Sequence, residues 1–123
     1  MSAKLNKSLP LFLQVRDVII KDIISGILKE GEKVYSENDL TAFYEINRAT
    51  VRQGLQLLVD EDIIYKKRGV GMFVQDEARK VLISQRENHF HSDFLKPLIE
   101  EAKMLGITYK ELLDRLEKEK YEC

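Results

Sequence analysis

The stretch Ser36–Val59, SENDLTAFYEINRATVRQGLQLLV, followed closely by Ile63–Val74, IIYKKRGVGMFV, decides how this chain folds. Ser36 stands three residues before Asp39, the spacing of a capping box, in which a hydroxyl covers the first helical amides and a carboxylate reaches back to the cap. The spacing predicts a short helix over Glu37–Tyr44 that buries Leu40, Phe43 and Tyr44. Glu45-Ile46-Asn47 reads as a turn, and Asn47 suits the N-cap of the next helix. In that helix Val51, Leu55, Leu58 and Val59 fall on one stripe, while Arg48, Arg52 and Gln56 lie opposite with Ala49 and Gln53 beside them. Asp60-Glu61-Asp62 marks its end. Ile63-Ile64-Tyr65 and Met72-Phe73-Val74 are β-prone, and Gly69-Val70-Gly71 reads as a hairpin turn, with a tip over Lys66–Gly71. Two helices across a tight turn, then a hairpin, make a helix-turn-helix with a wing.

Charge follows this plan. The 123-residue chain is slightly acidic, at net −1, and residues 1–76 hold 11 Lys+Arg against 11 Asp+Glu. Yet Ile46–Val59 contains Arg48 and Arg52 with no acid, and Ile63–Gln75 contains Lys66, Lys67 and Arg68 with no acid. Cations thus stand where a helix and a wing meet double-stranded DNA, and nucleic-acid binding rests on pattern rather than on overall basicity. Apolar content of 44% and charged content of 33% describe a globular domain, with no run of the ~20 apolar residues that a membrane helix needs. The N-terminus lacks the apolar core of a signal peptide. The single cysteine, Cys123, reads as an incidental free thiol, so a cytoplasmic protein without membrane attachment is the simplest expectation.

Upstream, Met1–Ser8 is polar and expected to be loose. Pro10 suits the first turn of a helix whose apolar stripe is Leu11, Val15, Val18, Ile19, Ile23 and Ile27 and which stops near Ser25-Gly26. Lys29–Lys33 reads as a polar loop. Downstream, Asp76–Phe94 has helical spacing with Val81, Leu82 and Phe90 on its apolar side. Leu95, Leu98, Ile99, Ala102 and Leu105 continue it, and Pro97 is expected to kink or restart the helix. Gly106 ends that helix, and Thr108 and Glu111 form a second capping pattern before a helix with Leu112, Leu113 and Leu116. The fold class is mainly α with a small β-hairpin. A winged helix-turn-helix domain is expected over residues 1–75 and a helical dimerisation tail over residues 76–123.

Several motifs carry a family resemblance. Tyr35-Ser36-Glu37-Asn38-Asp39-Leu40, Ile46-Asn47-Arg48-Ala49-Thr50-Val51-Arg52 and Arg68-Gly69-Val70-Gly71-Met72-Phe73-Val74 occur in order, with Leu9–Val15 and the Gly26…Gly31 spacing before them. Over residues 9–75 the chain resembles the DNA-binding domain of GntR-type transcriptional regulators. The run Ala102…Leu105-Gly106-Ile107-Thr108 resembles the tail of the YtrA subfamily, which implies a homodimer. The larger effector domains of other subfamilies are not expected. By resemblance, Arg48 reads a guanine, Arg52 contacts phosphate or base, Thr50 contacts the backbone, and Arg68 and Gly69 enter the minor groove. Guanine O6 and N7 match the planar fork of arginine, and Ser36 with the helix start suits a phosphate. Tyr35 stands where the family has proline and Asn38 where it has arginine. Ala49 replaces a hydroxyl and Asn47 a Ser or Thr.

The expected DNA-binding set is therefore Ser36, Asn38, Asn47, Arg48, Ala49, Thr50, Arg52, Gln53, Lys67, Arg68, Gly69 and Gly71. The expected dimer interface is Phe90, Phe94, Leu95, Leu98, Ile99, Ala102, Leu105 and Leu112. Two arginines on a solvated helix face are ordinary by themselves; the wing and the order of the motifs decide for DNA. Lys66-Lys67-Arg68 also blunts an exposed strand edge. His89 and His91 do not share a helix face, so no metal site is expected, and no cofactor. No nucleophile–base pair or carboxylate pair suggests an enzyme. The reading is a sequence-specific regulator, a repressor, that binds a two-fold symmetric operator as a homodimer. A protein-interaction module and a regulator with a small effector site in its tail are the alternatives. Whether a small molecule acts on the chain is left open.

Overall fold

The computed structural model describes residues 4–121. Met1 and its neighbours in the expected loose start, and Cys123, lie outside the described residues. In chain order the elements are α1 (Leu11–Ile24), α2 (Glu37–Tyr44), α3 (Arg48–Asp60), β1 (Ile64–Lys67), β2 (Gly71–Val74), α4 (Ala78–Phe90), α5 (Lys96–Met104) and α6 (Tyr109–Lys118). They form two compact units, the first ending at Ser84 and the second starting at Gln85.

In the first unit α1 buries Val15, Val18, Ile19, Ile20 and Ile23. Ile27, expected on the same stripe, is 64% exposed, because Ser25 ends the helix and Gly26 turns the chain at φ +86°. Pro10 takes the N-cap itself rather than the first turn. Before it, the Asn6 backbone is held at both its N–H and its carbonyl by the Gln14 side-chain amide, at 2.6 Å each, so the expected loose start is tied down from Asn6. α1 crosses α3 at Gly54, where a Cβ would stand 2.7 Å from the Phe12 carbonyl oxygen. Only a residue without a side chain permits that approach. Val51, Leu55 and Leu58 complete the seam with Val15 and Ile19. Arg16 and Glu61 pair through two hydrogen bonds of 2.5 Å, joining α1 to the end of α3.

α2 buries Leu40, but Phe43, expected in the core, is 54% exposed. A two-turn helix offers the core a narrow face, and the Phe43 ring instead meets the edge of half-buried Tyr44 with centroids 4.9 Å apart. Tyr35 donates its hydroxyl to the buried Asp22 carboxylate of α1; burial first, and then this bond, raise the phenol well above its ordinary range.

The hairpin pairs Ile64 with Val74, Tyr65 with Phe73, Lys66 with Met72 and Lys67 with Gly71. Ile63, expected in the first strand, lies just before it and is buried. Residues 31–33, expected within a polar loop, edge the other side of β2 together with Val34: Gly31 N–H donates to the Val74 carbonyl (2.9 Å), Val34 N–H to Met72 (2.8 Å) and Val74 N–H to Glu32 (3.0 Å). The backbone groups that a two-stranded wing would leave open on that side are thereby satisfied. The core also holds Ala78 and Leu82, so the first unit reaches past residue 75 into α4.

The second unit holds the rest of α4, a π-helical turn at His91–Leu95, α5 and α6. The chain restarts at Pro97 as expected, and the π turn shows how. Lys96 N–H reaches the His91 carbonyl, and α5 then opens with proline in its first turn, where no N–H is needed. Thr108 caps α6 by accepting the Glu111 N–H at 3.2 Å. Phe90, Phe94, Leu95, Leu98, Ile99 and Leu105 are 37–67% exposed, Leu112 is half-buried, and Ala102 is buried at 6%. Val81 is exposed in the first unit. Among the described residues no helix is long and apolar enough to cross a membrane.

Candidate nucleic-acid interface

Local capping sets the geometry of the site. Ser36 Oγ accepts the Asp39 N–H at 3.0 Å and Asp39 returns the bond to the Ser36 N–H at 3.2 Å, so the capping box closes as the spacing requires. Glu45 then takes a left-handed conformation, φ +53°, which turns the chain sharply. Asn47 accepts the Ala49 N–H at 2.7 Å and starts α3.

α3 presents Arg48, Ala49, Arg52 and Gln53 to solvent, with Thr50 half-buried and Val51, Gly54, Leu55 and Leu58 behind them. Gln56 is exposed but donates to Asp60 one turn on, at 2.8 Å. Along the helix the face carries no acid before Asp60, its last residue, but in space an acid stands closer. Glu37, the first residue of α2, accepts from Arg52 at 3.0 and 3.2 Å and lies 3.5 Å from Arg48. Arg48 also donates to the side-chain oxygen of Asn38. The hydrogen bond from Arg52, with both positive charges nearby, holds the Glu37 carboxyl below the usual range, against the opposing effect of burial. Glu37 is the residue that sequence spacing missed. It is separated from Arg52 by fifteen residues, and only its place beside Asn38 hinted at a role.

The arrangement gathers Ser36, Asn38, Asn47, Arg48 and Arg52 around the start of α2 and the front of α3. Arg48 and Arg52 remain substantially exposed, with forks free to exchange Glu37 for phosphate or guanine. On the wing, Lys67 and Gly71 close the hairpin and Arg68-Gly69-Val70 forms its turn, with Gly69 at φ +77°. Lys66, Lys67, Arg68 and Gly69 are exposed. Tyr65 stacks on Phe73, with centroids 5.7 Å apart, and Lys67 Nζ stands 5.6 Å from the Phe73 ring. The expected dimer-interface residues all belong to the second unit.

A capped helix pair with an open basic face, followed by a hairpin wing, defines the winged helix-turn-helix class. Residues 11–74 match the pattern described as bacterial regulatory proteins, gntR family, and the chain belongs to that family. It is 34% identical over 97 residues to the arabinose metabolism transcriptional repressor of Geobacillus stearothermophilus, covering 76% of this chain and 27% of that protein. It is similar to a GntR family transcriptional regulator from Listeria monocytogenes, with a TM-score of 0.73 and 27% identity over 93% of this chain and 98% of that one. It is also similar to AraR(DBD) in complex with operator ORX1, with a TM-score of 0.52 and 29% identity over 60% of this chain and 90% of that one. The chain spans only 27–30% of the length of the first curated relatives it matches.

Proposed function

We propose that this protein is a sequence-specific DNA-binding transcriptional regulator, acting as a repressor on a two-fold symmetric operator. The observation that carries the reading is the solvent-facing pair Arg48 and Arg52, at the start of a helix capped by Asn47 and aimed away from the core. Arg48 reads guanine, Arg52 contacts base or phosphate, and Ser36, Asn38, Asn47, Ala49, Thr50 and Gln53 line the same approach. Lys67, Arg68, Gly69 and Gly71 bring the wing to the minor groove. The relative named as a repressor and the AraR(DBD) complex with operator DNA support this assignment.

The protein acts as a homodimer, with a YtrA-like tail supplying the pairing. A single winged helix makes few base contacts, each contributing only about 1–3 kcal/mol of discrimination, and a symmetric pair doubles them. The exposed apolar run from Phe90 to Leu105 supports pairing through the second unit. The protein works in the cytoplasm, on double-stranded DNA, without enzymatic activity.

Selection of bound duplexes from a random pool, followed by titration of the winner, tests the reading. A palindromic site is expected, with binding that weakens as salt rises and is lost in Arg48→Ala. A selected pool without symmetry counts against the dimer, and binding that survives Arg48→Ala counts against the assigned reader.

A further inference from the structure

One cation outside the DNA-binding set is built into the wing. Lys33 forms an isolated antiparallel bridge with Phe73, and the adjacent Val34 N–H donates to Met72 at 2.8 Å. Residues directly opposite in such a pairing share a face, and alternate residues along a strand return to it. Lys33 therefore shares one face of the wing with Phe73, Tyr65, Gly71 and Lys67, while Val34, Ile64 and Val74 are buried on the other.

Gly71 shows how closely Lys33 is held. A Cβ on Gly71 would stand 2.7 Å from Lys33 Cε and 3.6 Å from its Nζ, so the lysine stem occupies the space a side chain would take. Lys67 is the cross-strand partner of the same glycine. Two lysines thus converge on the residue that follows the turn of the wing. Arg16, Arg48 and Arg52 are each engaged by a glutamate, whereas Lys33 has no carboxylate within ion-pairing distance among the described residues. Lys33 is an exposed residue, and its stem is already laid against Gly71 of the wing. An ordered cation without an internal counter-ion suits an external anion, since much of the ordering cost of a lysine is met before contact.

We infer that Lys33 is a further DNA contact, gripping a backbone phosphate beside the groove that the wing enters, with Gly71 as the slot that positions it. The inference rests on the DNA-binding function proposed above. Phosphate contacts fix register without reading sequence, so Lys33 supplies affinity and salt dependence rather than base discrimination.

The full chain carrying Lys33→Gln, Lys33→Arg or Arg48→Ala is titrated with a selected duplex and with a scrambled duplex of equal length, over a range of salt concentrations. Lys33→Gln is expected to weaken both duplexes alike, about five- to tenfold at ~0.1 M salt, and to lower the slope of log K against log salt by about one. Lys33→Arg is expected to restore both, with melting temperatures unchanged. Arg48→Ala is expected to remove the preference for the selected duplex. Unchanged binding in Lys33→Gln, or a loss confined to the selected duplex, overturns the inference and leaves the proposed function intact. A lower melting temperature in both Lys33 variants assigns the residue to the fold and also overturns it. Wild-type protein indifferent to every duplex removes the proposed function, and this inference with it.

Discussion

Glu37 grips Arg52 across the helix-turn-helix with two hydrogen bonds, at 3.0 and 3.2 Å, and the same carboxylate stands 3.5 Å from Arg48. The pair is exposed enough that it adds little to stability. Its effect is on charge and orientation. One acid offsets part of two positive charges on α3 and fixes where their forks point before DNA arrives.

Glu37→Gln should therefore tighten binding to a scrambled duplex, roughly several-fold at ~50 mM salt, because the arginine charges lose their internal partner. The ratio of selected to scrambled affinity should fall, since looser arginines read bases less well. Fluorescence anisotropy on both duplexes measures this. Non-specific binding that stays the same or weakens in the variant would contradict the role given to Glu37.

Acid should expose the same pairing from the side of stability. Hydrogen bonds from Arg52 and Arg16 hold Glu37 and Glu61 below their ordinary range. Both folded values lie beneath the unfolded glutamate value of about 4.3, so the unfolded chain takes up protons first. The stability they confer is complete above that value and is lost as pH falls through the folded values. Melting temperature between about pH 6 and pH 3 should drop more steeply for wild type than for the Glu37→Gln/Glu61→Gln double variant. The gap between the two proteins should close at the acid end. Parallel curves would show that neither pairing gives the fold a pH-dependent share of its stability.

Gly54→Ala separates helix propensity from packing. Inside an exposed helix the change would stabilise by about 0.5–1 kcal/mol. Here the new methyl meets the Phe12 carbonyl at 2.7 Å and Val15 at 3.0 Å, both held by α1. Overpacking of this kind costs about 1–3 kcal/mol, so the variant should be less stable by urea denaturation. A gain in stability would mean that α1 and α3 separate without cost.

The helix-turn-helix was legible because its signals are local. Ser36 with Asp39, Asn47 before α3, and the offsets of Val51, Leu55 and Leu58 each act within a few residues, and the elements form where those signals put them. What sequence spacing misses is long-range. Phe43 looks like a core residue until the narrow inward face of α2 leaves it in solvent. Lys33 looks like loop until the Val34 N–H bonds Met72 and the Val74 N–H bonds Glu32, which makes it an edge of the wing. Glu37 looks like an ordinary first-turn acid until the turn at Glu45 swings Arg52 onto it. In each case the deciding partner lies beyond the reach of helical or strand periodicity.

The start of α4 moves the cut for a truncation experiment. On sequence grounds, removing residues 77–123 should leave a folded, weakly binding monomer. Ala78 and Leu82, however, lie in the first unit's core at 2% and 3% exposure, and Arg79 donates to the Ile24 carbonyl at the end of α1, at 2.9 Å. Losing a buried leucine alone forfeits about 1.5–3 kcal/mol, a large share of the stability of so small a domain. A fragment ending at residue 76 should therefore melt at a lower temperature than one ending at Ser84, with a broader transition. The longer fragment should run as a monomer by sedimentation, hold the fold by circular dichroism, and bind a single half-site. Equal melting of the two fragments would show that the start of α4 adds nothing to the core. A longer fragment that still dimerises would take the pairing surface out of the tail.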